Sequence, residues 1–107
     1  MNEEQKDVAV GRVLRERKEV ESHLAALEAD VRKVSQRLAD LAQMLDRSPQ
    51  DTWFHGQSAS TKGYPPRSAS FNIADYNMQH VVDLTNAIRD TREKLDRLNS
   101  EASTLGF

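Results

Sequence analysis

Leu24, Leu27, Val31, Val34, Leu38, Leu41 and Leu45 follow one another at alternating intervals of three and four residues. So do Val81, Leu84, Ile88, Thr91, Leu95, Leu98, Ala102 and Leu105. That alternation is the a/d signature of helices packed along a narrow seam. It restricts the chain to an all-α fold: a long antiparallel helical hairpin, or two-stranded coiled coil, with residues 1–107 forming a single helical-hairpin domain. Each helix of such a hairpin covers only one stripe of its partner, and a chain of 107 residues buries a modest share of its surface. Association of two hairpins into a four-helix bundle is therefore expected.

The helix limits follow from capping chemistry. Asn2 is a cap residue, and Glu3 and Glu4 place carboxylates at the positive end of the helix dipole. Gln5, three residues after Asn2, suits a capping box. No proline interrupts the chain before Pro49, so the spacing predicts a first helix over about 3–46, about 65 Å long. Residues 48–71 differ in kind. They hold all three prolines, the only Trp and two of the three Phe. Ser48-Pro49-Gln50-Asp51 predicts a short helical turn within 49–55, with Gly56 as its stop. Residues 57–70 are small and polar, and are expected to be mobile and protease-sensitive. Asn72, with Asp75 three residues on and Phe71 and Tyr76 at staple positions, predicts a second helix over about 73–103, stopped near Gly106.

Two registers of the hairpin preserve the apolar seam. One sets Leu38 against Leu84, Val34 against Ile88, Leu27 against Leu95 and Leu24 against Leu98, and places Glu28 beside Arg92 and His23 beside Glu101. The other, slipped by one heptad, sets Leu38 against Asn77 and Arg17 against Leu98, with Glu16 beside Glu101 and His23 beside Lys94. Like-charge neighbours cost only tenths of a kcal/mol, but all of them disfavour the slip. The first register is expected, with Leu38 a central knob of the seam. Residues 1–14 then project beyond the second helix and leave Val8, Val10, Val13 and Leu14 without intrachain cover. Apolar stripes of this kind mark interfaces, so these four are candidate partner-binding residues, and a homodimer is the expected assembly.

The chemistry of the remaining residues is sparse. Cysteine is absent, which removes disulfides, thiolate metal sites and a Cys nucleophile. His80 with Asp83 has ligand spacing, but two groups do not make a metal site. No phosphate loop, zinc-protease or serine-hydrolase motif occurs. Neither catalysis nor a cofactor is expected. The basic run Arg12, Arg15, Arg17 and Lys18 is interleaved with Glu16, Glu19 and Glu21 at i,i+4 spacing, so its charge cancels locally, and the net charge is −2. Nucleic acid is not expected as a partner. No apolar run approaches the roughly 20 residues that span a bilayer, and Met1–Lys6 is polar, so a soluble cytoplasmic protein is expected.

The segment between the helices carries residue types enriched in binding hot spots: Trp53, Phe54, Tyr64 and Arg67. Trp53 and Phe54 are expected to pack over the end of the hairpin near Leu45 and Tyr76. Tyr64-Pro65-Pro66-Arg67 has the form of a polyproline II segment that an aromatic groove accepts. The function expected is that of a non-enzymatic coiled-coil interaction module: a scaffold, adaptor or subunit that self-associates through helix faces. The alternatives are a nucleic-acid-associated regulator acting through Arg12–Lys18, and a helical chaperone or adaptor holding a client peptide in the loop.

Overall fold

In a computed structural model, which describes residues 2–56 and 70–106, the chain is an all-α helical hairpin of two long helices, α1 (Glu3–Arg47) and α2 (Met78–Thr104). The start of α1 is the expected capping box. The Gln5 amide donates to Asn2 Oδ1 at 2.8 Å, and the Asn2 amide donates to Gln5 Oε1 at 3.2 Å. At the other end of the chain, Gly106 takes φ +96°, a conformation open to glycine, and its amide closes the last turn on the Ser103 carbonyl at 3.1 Å.

α2 begins later than 73. A 3₁₀ turn spans Ile73–Tyr76, Asn77 is extended with ψ 111°, and only then does the α-helix start. Two asparagines account for the break. Asn72 Oδ1 accepts from the Ala74 amide at 3.0 Å, and Asn77 Oδ1 accepts from the Gln79 amide at 2.9 Å. Each side chain satisfies amides that a continuous helix would have used, so the second cap ends what the first began.

Contacts divide the chain into two compact units, 1–29 with 84–107, and 30–83. In the first unit, the early part of α1 packs against most of α2, and Val13, Val20, Leu24, Leu84, Leu98 and Ala102 form its core. Its register is the slipped one and not the one expected. Arg12 is ion-paired with Glu101, and a Cβ on Gly106 would stand 3.9 Å from Lys6 Nζ; the Glu28–Arg92 pair expected of the other register forms nonetheless, at 3.1 Å. Val20 and His23 line one groove with Thr91 and Lys94. Leu95 therefore stands level with Val20, and the overhang is shorter than 1–14: Val13 is fully covered and Val10 half-buried, whereas Val8 stays 71% exposed.

The physical reason lies in residues N-terminal to the obvious repeat. Val10, Val13, Arg17 and Val20 continue the same three-four spacing backwards from Leu24. Burying each valine is worth about 1.5–3 kcal/mol, which outweighs repulsions of tenths. The repulsion between Glu16 and Glu101 is also relieved, because Arg12 pairs with both, at 3.3 Å to Glu16. These two carboxylates raise the Arg12 pKa, the Glu101 hydrogen bond most. Arg17 occupies a seam position and leaves its side chain 32% exposed, with Nε 3.9 Å from Glu21. A long stem can lie along an apolar seam while its charged head reaches water.

The second unit contains the last part of α1, a 3₁₀ turn at Pro49–Asp51, two short strands, the 3₁₀ turn at Ile73–Tyr76 and the first residues of α2. The helical turn expected to run within 49–55 stops at Asp51. Trp53–His55 is strand β1, and it pairs in parallel with β2, Ser70–Asn72, in the register Trp53–Ser70, Phe54–Phe71 and His55–Asn72. Thr52, Trp53 and Phe54 are β-branched and aromatic, and such side chains pack better on a pleated surface than in a helical turn. The core here is thin: among the described residues Val34 is its one buried apolar side chain, with Thr52 buried beside the turn. Leu38 keeps 38% of its surface exposed and is not the central knob expected.

Candidate functional site

Residues 48–56 and 70–76 build an aromatic cap. Ser48 precedes the proline turn, and Thr52 Oγ1 donates back to the Ser48 carbonyl at 3.0 Å, which turns the chain into β1. The parallel pairing sets Phe54 opposite Phe71, with ring centroids 6.2 Å apart. Phe71 in turn meets Tyr76 edge-on at 6.1 Å. This is the expected staple pair, extended by one ring. Offset and edge-on arrangements suit the ring quadrupoles. Tyr76 Oη donates to the Arg37 carbonyl at 3.2 Å and so fastens the cap to α1. Burial, with the nearby charges of Asp75 and Asp40, raises the Tyr76 pKa. At the outer end, His55 Nδ1 and Ser70 Oγ stand 2.8 Å apart, and Gly56 at φ +118° turns the chain away. Trp53 is half-buried, and its indole N–H is enclosed without a hydrogen-bond partner among the described residues.

The predicted site residues separate. Trp53 and Phe54 come together in the cap, both half-buried. Val8 is 71% exposed and Leu14 is exposed, whereas Val10 is half-buried and Val13 has no surface to offer a partner. Val13 is therefore corrected from an uncovered residue to a core one, because Ala102 and its neighbours on α2 reach its level. Tyr64 and Arg67, and the segment 57–69 that holds them, lie outside the described residues.

Leu38 and Leu45 were expected to be covered in the seam, yet with Ile73, Met78 and Val82 they make residues 30–83 rich in exposed apolar surface. One signal was present. The apolar phase on α1 runs from Val10 to Leu45, while that on α2 runs only from Val81 to Leu105, so part of α1 must outlast its partner.

A shallow groove of about 230 Å³ lies in the first unit, lined by Glu16, Glu19, Val20, His23, Thr91 and Lys94. It sets two carboxylates, an imidazole and an ammonium group around an apolar floor. That composition suits contact with a polar side chain or a peptide backbone. Among the described residues no three His, Asp or Glu side chains converge as metal ligands, and no helix is long and apolar enough to cross a membrane. Comparison with known protein families, curated proteins and solved structures returns no match. The class defined by the fold is therefore that of an all-α helical hairpin with an aromatic cap.

Proposed function

We propose that this chain is a non-enzymatic coiled-coil interaction module, a cytoplasmic scaffold, adaptor or subunit, that self-associates through helix faces. The observation that carries this reading is the concentration of exposed apolar side chains in residues 30–83. Leu38, Leu45, Ile73, Met78 and Val82 are between 37% and 63% exposed in a unit whose described residues bury one apolar side chain. Surfaces of this kind mark association sites, and hairpins of this class gain cover by pairing into bundles. Arg12 and Arg17 are engaged by carboxylates, which weighs against nucleic acid as the alternative partner.

Sedimentation equilibrium tests the proposal. A mass near twice 12.1 kDa is expected at micromolar concentration. Leu45→Glu with Met78→Glu replaces two exposed side chains, and exposed substitutions shift stability by only about 0.5 kcal/mol. The double variant should move toward monomer while its helical circular dichroism is retained. A wild-type monomer across that range removes self-association.

A further inference from the structure

The two helices carry seams of unequal length in the same phase. On α1 the phase runs Val10, Val13, Arg17, Val20, Leu24, Leu27, Val31, Val34, Leu38, Leu41, Leu45; on α2 it runs from Val81 to Leu105. A short periodic seam on a longer one has more than one matched position, because a slide of one heptad restores every a/d contact. Each position carries a cost of its own. The observed register covers Val13 and makes the Arg12–Glu101 pair, but it places Arg17 in the seam, half-covered. The displaced register moves Arg17 from opposite Leu98 to opposite Leu105, at the end of the seam, and gives up the cover on Val13. Arg92 is level with position 23 in the observed register and with position 30 in the displaced one, so Glu28, which it meets at 3.1 Å, stands nearer its level in the displaced register.

We propose that α2 occupies two seam registers on α1: the observed one, with Leu95 level with Val20, and a minor one displaced by a heptad, with Leu95 level with Leu27. The slide carries the start of α2 toward the end of α1. Its cost falls on the cap. The three-pair ribbon and the Tyr76–Arg37 hydrogen bond open, and the extended residue Asn77 is the point where the helix and the cap already part. The displaced state uncovers Val10 and Val13.

The protein has no cysteine of its own, so disulfide trapping reads the registers directly. Three double variants are compared in the full chain under mild oxidation: Val20→Cys with Leu95→Cys for the observed register, Leu27→Cys with Leu95→Cys for the displaced one, and Val13→Cys with Leu95→Cys for a slide in the opposite direction. The first pair should close fastest. The second should close about ten- to a thousandfold more slowly, in keeping with a minor state populated at 0.1–10%, yet clearly faster than the third. Equal rates for the second and third pairs overturn the proposal. Spin labels on the exposed residues Glu19 and Asp96 leave the seam intact and supply an independent reading. Two distance populations, their sites offset along the axis by about 10 Å (seven residues of helical rise), are expected after the cap is weakened by Tyr76→Phe. A single population in that variant also overturns the proposal.

Discussion

Val13 and Leu38 lie in phase on the same helix, both on the stripe that a heptad pattern assigns to the seam, and they meet different fates. Val13 is fully covered, and Leu38 is 38% exposed. The difference extends to the units that hold them. Among the described residues, those of 1–29 with 84–107 bury six apolar side chains, and those of 30–83 bury Val34 alone. The first unit rests on helix-on-helix packing with two ion pairs across it. The second rests on three rings in contact, a ribbon of three residue pairs and a phenol hydrogen bond. A periodic stripe identifies the face that wants cover. It does not say how far the covering helix reaches.

The largest expected effect comes from making one substitution in each unit. Leu98→Ala, at a site 5% exposed, should cost about 2–5 kcal/mol in chemical unfolding. Leu38→Ala should cost no more than about 1 kcal/mol, because its side chain is already in partial contact with water. Equal losses at the two sites would mean that Leu38 is packed in solution, for example inside an assembly, and would dissolve the contrast between the units. Repeating Leu38→Ala across a wide range of protein concentration separates those cases, because only an assembly makes the loss concentration-dependent.

That contrast was only partly legible in the sequence. The heptads gave both helices, and Asn2 with Gln5 and the glycine at 106 gave two of their ends. The register was lost because Val10, Val13 and Val20 are interrupted by Arg17, whose stem serves as a seam residue although its charge reads as surface. Arg12 was counted as a partner of Glu16, and its second partner, Glu101, lies 89 residues away. No local pattern shows a contact of that separation. The late start of α2 has a local cause that was visible as two asparagines, Asn72 and Asn77. Either alone is a plain helix cap, and which of the two caps the helix depends on whether the cap rings hold the residues between them. The parallel ribbon was illegible because three-residue strands carry too few alternations to establish a period.

Glycine substitutions sharpen the comparison at intermediate scale. Gly56 in the second unit has φ +118°, and a Cβ there would stand 3.0 Å from Asn72 Oδ1, the atom that caps the 3₁₀ turn. Gly56→Ala should therefore cost about 1–3 kcal/mol and loosen the cap, measured as reduced near-ultraviolet dichroism from its aromatic rings. Gly106→Ala, at φ +96° with its nearest neighbour at 3.9 Å, carries backbone strain alone and should cost about 1 kcal/mol. Gly11 lies inside α1 with open space around it, so Gly11→Ala should stabilise by about 0.5–1 kcal/mol. A larger loss at position 106 than at position 56 would show that the ribbon contributes less than its geometry indicates.

The smallest expected effect is the pH dependence of the cap. Tyr76 is the tyrosine that joins the second unit's rings to its helix, and its pKa is raised, by burial first and then by the charges of Asp75 and Asp40. A raised folded-state pKa means that the unfolded chain loses the phenol proton first as pH increases. The stabilisation is complete below the ordinary tyrosine value of about 10 and declines as pH climbs through that value toward the folded one. In a Tyr64→Phe background, where Tyr76 is the remaining tyrosine, ultraviolet titration should place its midpoint above the free value, and unfolding free energy should fall across the same interval. Tyr76→Phe keeps the ring against Phe71, removes the hydrogen bond to the Arg37 carbonyl, and should erase that alkaline decline. Other groups that titrate in this range, the lysines, are common to both variants and cancel in the difference. A decline that persists unchanged after Tyr76→Phe would place the alkaline sensitivity elsewhere and leave the cap held by ring packing alone.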